Sequence, residues 1–273
     1  MKRSQLGINS ISVRGEFIDM IDGFAAAGFP NVEFFLGHVK GYLEQGHKLA
    51  DVARLLDERK LQCIGGFQAP VVCFGDAAAK KENHQLLVDN ARLLGELGAT
   101  GMVVGTDGPA DLSKVKDPLG VIAKSMAQIA KRIKKTGVTL CMEFNWSPLL
   151  KTLPAAAEVS RRAGDGVGVL FDPAHYHCTA TKMEDLTAAN VAEIAHVHVD
   201  DMAPIPAELS NCNADRRLPL EGCLDIRQMF KTIEKHGYKG FFSIEMFNDE
   251  LWAMSPAKAS KKMYESMLPL CGR

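Results

Sequence analysis

Lys134-Lys135-Thr136-Gly137-Val138-Thr139-Leu140-Cys141-Met142-Glu143-Phe144 is the stretch on which the fold reading rests. Two cations and a glycine close a helix here. Glycine accepts the left-handed conformation past the last turn, and lysines suit the negative helix end. The residues that follow are almost continuously apolar, without the alternation of a strand that has one wet face. Such a strand is buried on both sides, as in a parallel sheet covered by helices. The run then ends in a carboxylate, Glu143.

The same phrase recurs in both directions from this point. Ala25-Ala26-Ala27-Gly28 leads into Asn31 to Phe35, and Leu94-Gly95-Glu96-Leu97-Gly98 leads into Met102-Val103-Val104. Arg162-Ala163-Gly164 leads into Val167 to Phe171, and Lys235-His236-Gly237 into Phe241 to Ile244. The intervening segments have helical period. Ile122, Met126, Ile129 and Ile133 form one apolar stripe, and Ile226, Met229, Phe230 and Ile233 another. Asp225 is placed to cap the second, and Ser255-Pro256 gives an N-cap followed by proline at the first helical position.

The pattern predicts strands near 6–12, 31–35, 61–67, 101–105, 138–144, 167–172, 194–200 and 240–245, each able to be followed by a helix. Eight such units in 273 residues match a (β/α)₈ TIM barrel. With no linker or composition break, residues 1–273 are expected to form a single domain. An open doubly wound sheet would bring a Gly-x-Gly-x-x-Gly turn after its first strand, where this chain has Val13-Arg14-Gly15-Glu16. The segment from Ala203 to Gly222 is too long for a simple loop and shows no clear helix. It is expected to fold across the C-terminal mouth of the barrel.

Composition narrows the function. Hydrophobic residues at 47% and charged residues at 24% exclude a disordered, collagenous or coiled-coil chain. The 32 Lys and Arg against 33 Asp and Glu leave no basic field, which argues against nucleic acid or a membrane surface as partner. Seven cysteines, an odd number with no Cys-x-x-Cys, fit the reduced thiols of a cytosol. No apolar run approaches the ~20 residues of a membrane span, and no apolar segment follows Met1-Lys2-Arg3-Ser4-Gln5. A cytoplasmic chain is expected.

In a barrel the catalytic groups sit at the C-terminal ends of the strands. The fifth strand ends in Glu143-Phe144-Asn145-Trp146, and the sixth in Phe171-Asp172-Pro173-Ala174-His175. The seventh reads His196-Val197-His198-Val199-Asp200-Asp201, and the eighth ends Ser243-Ile244-Glu245. Any one of these taken alone reads as a solvated or salt-bridged side chain, and the histidine pair as hydrogen-bonded packing. Four consecutive strands with ionisable ends read instead as a metal or acid–base site, since a charge at the rim of an apolar core is costly unless paired or metal-bound. The set Glu143, Asp172, His198 and Glu245 is mostly hard oxygen with one nitrogen, which suits Mn²⁺, Mg²⁺ or Co²⁺ better than a thiolate zinc site would.

These motifs, in this order along the whole chain, resemble the xylose isomerase-like TIM barrels. More narrowly they are similar to the sugar phosphate isomerase/epimerase group, which includes ketose 3-epimerases, inosose isomerases and dehydratases, and the AP endonuclease IV branch. The resemblance implies that Glu143, Asp172, His198 and Glu245 bind one divalent ion, Mn²⁺ foremost, with Mg²⁺, Co²⁺ or Zn²⁺ as alternatives. It implies substrate contacts from His175 and from an arginine in an Arg-x-x-Pro-Gly-Glu-Gly-like loop, which here reads Arg216-Arg217-Leu218-Pro219-Leu220-Glu221-Gly222. Arg216 has the motif spacing, Arg217 is its neighbour and alternative, and Leu220 replaces the family glycine. The group also implies a dimer or tetramer.

The chemistry expected of such a site is proton abstraction next to a chelated carbonyl of a sugar or cyclitol, through an enediolate. Glu143 and Glu245 are the candidate proton carriers. Trp146 and Phe67 could form an apolar wall against the sugar, although a barrel aromatic is as readily plain core. His196, one pleat period before His198, is expected to point inward but lie deeper, in a supporting or packing role. The same enediolate could expel a β leaving group, making the chain a dehydratase or lyase. An endonuclease-like phosphodiesterase would need several metals and a basic groove, and a sugar-binding barrel without chemistry would not need the full carboxylate set.

Overall fold

The computed structural model describes residues 1–272. Eight parallel strands close a barrel: β1 (Leu6–Asn9), β2 (Asn31–Phe35), β3 (Gln62–Phe67), β4 (Gly101–Val104), β5 (Thr139–Glu143), β6 (Val167–Phe171), β7 (Ile194–Val199) and, after a two-stranded excursion, β10 (Phe242–Ile244). The ring closes where β1 pairs with β10, Gly7 standing opposite Ser243. The helices around it are α1 (Phe17–Ala27), α2 (Leu36–Glu44), α3 (Leu49–Glu58), α4 (Ala77–Glu96), α5 (Pro118–Ile133), α6 (Leu153–Ala163), α7 (Pro173–His177), α8 (Ala188–Val191), α9 (Ile226–Lys235), α10 (Asp249–Trp252) and α11 (Pro256–Met267). Among the described residues, no helix is long and apolar enough to cross a membrane.

The helix–glycine–strand phrase has the physical basis read from it. Gly28, Gly98, Gly137, Gly164 and Gly237 all sit at positive φ after a helix. The stripes on α5 and α9 are buried against the strands, and Asp225 caps α9 by accepting from Gln228 N at 3.1 Å. At α11 the expectation holds only in part. Ser255 is the N-cap residue and Pro256 opens the helix, but the serine side chain makes no capping bond.

The apolar residues fall into two bodies. The large one lies between strands and helices and takes in Ile8, Val32, Met142, Val169, Val197 and Ile244. The small one is inside the barrel: Val103, Cys141 and Leu170, with Phe67 and Trp146 packed on them. This alternation along each strand also sets the site, because the residue two beyond an inward Cys141 is Glu143, and the residue two beyond Leu170 is Asp172.

Two strands, β1 and β10, differ from expectation by more than one residue at an end. β1 stops at Asn9 rather than residue 12, because the Asn9 side chain accepts from Ile11 N at 3.1 Å and turns the chain into a 3₁₀ turn over Ser10–Ser12. β10 pairs over Phe242–Ile244, and Glu245 follows it with its N–H donated to Val199 O at 3.3 Å. The Ala203–Gly222 segment also contains more order than predicted. Its return limb, β9 (Arg216–Arg217), pairs antiparallel with β8 (Asp201–Met202), directly after β7. A 3₁₀ turn spans Ala207–Leu209. This ribbon brings Cys212, Asn213 and Arg216 over the mouth of the barrel.

Candidate metal centre

A cavity of about 280 Å³ opens at the C-terminal mouth. Its apolar side is Phe67, Val103, Trp146 and Phe247, and its polar side includes Glu143, Asn145, His175, Arg216 and Glu245. Room for the Trp146 ring depends on Gly105, since a Cβ there would stand 2.7 Å from the indole and from the Trp146 carbonyl. Phe67 meets that ring edge-on, centroids 6.3 Å apart.

Glu143, Asp172, His198 and Glu245 converge. All four are buried, and one ligand-type atom from each lies within 4.8 Å of all the others. His198 turns Nδ1 toward this group, 3.2 Å from Asp172 Oδ2 and 3.3 Å from Glu245 Oε2. Glu143 Oε1 is buried without a hydrogen bond, although His175 Nε2 is 3.1 Å away. Three carboxylates and one imidazole, with a carboxylate oxygen left unsatisfied, fit a single hard or borderline divalent cation.

Each donor is held from behind. Asp172 follows β6 and caps α7, its Oδ1 accepting from Ala174 N at 2.8 Å and His175 N at 3.1 Å, which leaves Oδ2 for the centre. Burial would raise this carboxyl, but Arg216 above all, with the neighbouring histidines, holds it well below the usual range. Glu245 Oε1 accepts from Asn9 Nδ2 at 2.9 Å. His198 Nε2 points away from the centre onto Glu33, 3.1 Å from Oε2 and 3.2 Å from Oε1. Burial by itself would lower the His198 pKa. Glu245 and Glu33 flank the ring, however, and with Asp172 they hold it well above the ordinary histidine value.

His175 and Trp146 line the cavity. Asn145, in the left-handed conformation at φ 74° that asparagine tolerates, donates from Nδ2 to His175 Nδ1 at 3.0 Å and so aims Nε2 at Glu143. The arginine alternative separates clearly. Arg216 is fully buried and reaches the cavity, whereas Arg217 is half-buried, bonds to the Arg216 carbonyl and lines a different surface depression. Arg216 also ties the ribbon to the centre. Its Nη1 bonds to Asp200 and to the Glu245 carbonyl, and Nη2 lies 3.1 Å from Asp172 Oδ2 without completing a hydrogen bond. Leu220 keeps the left-handed backbone that glycine would take, at φ 71°.

Sequence reasoning missed Glu33, Asn9, Asp200 and Asn145. Glu33 falls within an expected strand, and a glutamate inside an apolar run is the available signal. Asp200 continues the period-two series His196, His198 and so points inward. His196 lies deep, as expected, and its Nε2 is 3.1 Å from Glu33 Oε2.

The match to known proteins agrees with this geometry. Residues 21–268 match the family model described as xylose isomerase-like TIM barrel. An inosose isomerase of Halalkalibacterium halodurans is 28% identical over 139 residues, 50% of this chain and 49% of that protein. A 3-dehydroshikimate dehydratase of Pseudomonas aeruginosa is 24% identical over 261 residues, 94% of this chain and 40% of that protein. The chain thus spans about half the length, or less, of these relatives. The solved structure of IOLI protein with a bound zinc atom superposes with a TM-score of 0.86 at 18% identity, covering 97% of each chain, which is a likeness of fold. A family match over most of the length, on a closed eight-stranded barrel, places this chain in the xylose isomerase-like TIM-barrel family.

Proposed function

We propose that this chain is a divalent-metal-dependent isomerase or epimerase of a ketose, keto-sugar or keto-cyclitol. The observation that carries the reading is the convergence of Glu143, Asp172, His198 and Glu245 on one point at the edge of a small, half-apolar cavity. A divalent cation held there would polarise a substrate carbonyl and so acidify the adjacent C–H.

The side chains then divide the work. Glu143, at the end of β5, and Glu245, just past β10, are carboxylates from different parts of the ring that both line the cavity. One removes the α proton and the other returns a proton to the carbon, giving an isomer or epimer with no net loss of atoms. Asn9 restrains Glu245 through its 2.9 Å bond. His175 and the free Nη2 of Arg216 donate to substrate oxygens, and Trp146 and Phe67 cover an apolar face of the ring. The Ala203–Gly222 ribbon keeps bulk water from the mouth.

A second reading shares the first step. If the substrate carries a leaving group β to the carbonyl, the same proton abstraction ends in elimination, and the 94% coverage by a dehydratase relative supports keeping it. Product analysis separates the two. The Mn²⁺-loaded protein is incubated with ketoses, inososes and 3-dehydroshikimate, and products are resolved by NMR. A stereoisomer or positional isomer supports isomerase or epimerase, an unsaturated product supports the dehydratase, and conversion of none of these opposes both.

A further inference from the structure

Glu33 is a carboxylate inside the barrel that lies outside the cavity lining and outside the four-donor group. It sits in the middle of β2, its side chain is fully buried, and it is absent from the cavity lining. A buried carboxylate needs donors. Its hydrogen-bond partners are two imidazoles: His196 Nε2 at 3.1 Å from Oε2, and His198 Nε2 at 3.1 and 3.2 Å from its two oxygens. The two rings stand nearly perpendicular, at 81°, with centroids 5.5 Å apart, so each presents an edge nitrogen to the same acid.

An ionised carboxylate only accepts, so each Nε2 must carry a proton. For His198 this has a consequence across the ring. With the proton kept on Nε2, Nδ1 is the nitrogen left to exchange its proton for a cation, and Nδ1 is the atom that faces Asp172 and Glu245. A histidine on a strand can turn either nitrogen inward, and the carboxylates on the cavity side, Asp172 and Glu245, would face whichever nitrogen is turned to them. Glu33 makes the selection from behind. His196 supplies the second donor that the acid would otherwise lack, which accounts for a buried histidine outside the group of four.

We propose that Glu33 is a positioning residue that fixes the Nε2–H tautomer of His198, with His196 as its second donor, and so dictates that Nδ1 is the nitrogen offered to a divalent cation. The inference rests on the metal-centre reading above. Glu33, His196 and His198 also lie close enough to form a three-donor cluster of their own, with ligand-type atoms within 4.8 Å. Their contacts of 3.1–3.2 Å place a nitrogen directly against each oxygen, the geometry of N–H to carboxylate bonds.

The test uses the whole chain loaded with Zn²⁺, which is diamagnetic and allows the imidazole nitrogens to be read by long-range ¹H–¹⁵N NMR. Wild-type protein is expected to bind one equivalent, with His198 metallated at Nδ1 and protonated at Nε2. Glu33→Gln keeps the shape but can accept on one atom only. It is expected to weaken Zn²⁺ affinity about 10- to 100-fold, measured by chelator competition, and to lose the single Nε2–H pattern. Glu33→Asp, which retains the charge, should recover part of the affinity. The wild-type spectrum decides even where a variant does not fold. Nε2 metallation of His198, or a second Zn²⁺ held by Glu33 and His196, overturns the proposal. Unchanged affinity and tautomer in folded Glu33→Gln overturns it while leaving the metal centre intact. A wild-type chain that binds no Zn²⁺ removes the parent reading as well.

Discussion

Strands β5, β6, β7 and β10 carry the four-donor cluster at or next to their C-terminal ends, whereas β1 to β4 contribute Asn9, Glu33, Phe67 and Val103. One half of the mouth carries the charge that would meet a cation. The other half carries either an apolar wall or a polar group that reaches the donors from outside the centre. Asn9 crosses to Glu245, and Glu33 crosses to His198. A mouth with ionisable groups on all eight strands would have to desolvate far more charge. Here the charge is concentrated on one side, and the opposite side makes it rigid.

The largest expected effect lies in the donor half. Glu143→Gln and Glu245→Gln should each lower kcat about 10²- to 10⁴-fold, the range of general acid–base catalysis, while losing less in metal affinity. Asp172→Asn and His198→Ala should instead lose the metal first, read as metal content after dialysis. Equal losses of metal in all four variants would break the division between proton carriers and plain ligands.

The ribbon gives the next effect. Arg216 is buried against Asp172, Asp200 and Glu245, so Arg216→Ala would leave those acids uncompensated and cost about 3–5 kcal/mol of stability. Arg216→Lys keeps a cation and is the better probe. It should fold, keep the metal and lose kcat/KM through poorer substrate placement. His175→Ala, in the cavity wall, should likewise keep the metal and lose kcat/KM.

The supporting half should yield smaller changes. Asn9→Ala removes one donor from Glu245, and a fall of about tenfold in kcat is expected, with metal content unchanged. A fall as large as that of Glu245→Gln would mean that β1 belongs to the chemistry. The smallest effect is conformational. Leu220 holds a left-handed backbone that disfavours a branched side chain by about 1–2 kcal/mol. Leu220→Gly removes that strain, offset in part by glycine's greater chain entropy, and should raise the thermal midpoint slightly without altering activity.

The same two halves differ in how far they could be read from sequence. The strand–helix layer is periodic, so the stripes of α5 and α9 and the apolar runs of β5 and β6 announce the barrel directly. Glu143, Asp172, His198 and Glu245 stand out because each ends such a run. Glu33 is harder, because Asn31-Val32-Glu33-Phe34-Phe35 reads as one strand and gives no hint that its acid faces two histidines more than 160 positions away. Asn9 is hidden because the apolar pattern runs on to residue 12, past the side-chain turn that ends the strand. The role of Arg216 depends on where the ribbon folds, which spacing alone does not fix. The four clustered donors are thus legible from local pattern, and the residues that hold them in place depend on contacts across the ring.

Solvent isotope exchange tests the central claim most directly. The protein is incubated in D₂O with a ketose or inosose from the panel that it converts, once loaded with Mn²⁺ and once after chelation. The account predicts deuterium at the carbon next to the carbonyl in the loaded sample and none after chelation, with exchange restored on adding the cation back. Turnover that carries no deuterium into that position, or exchange that survives complete removal of the metal, would contradict it.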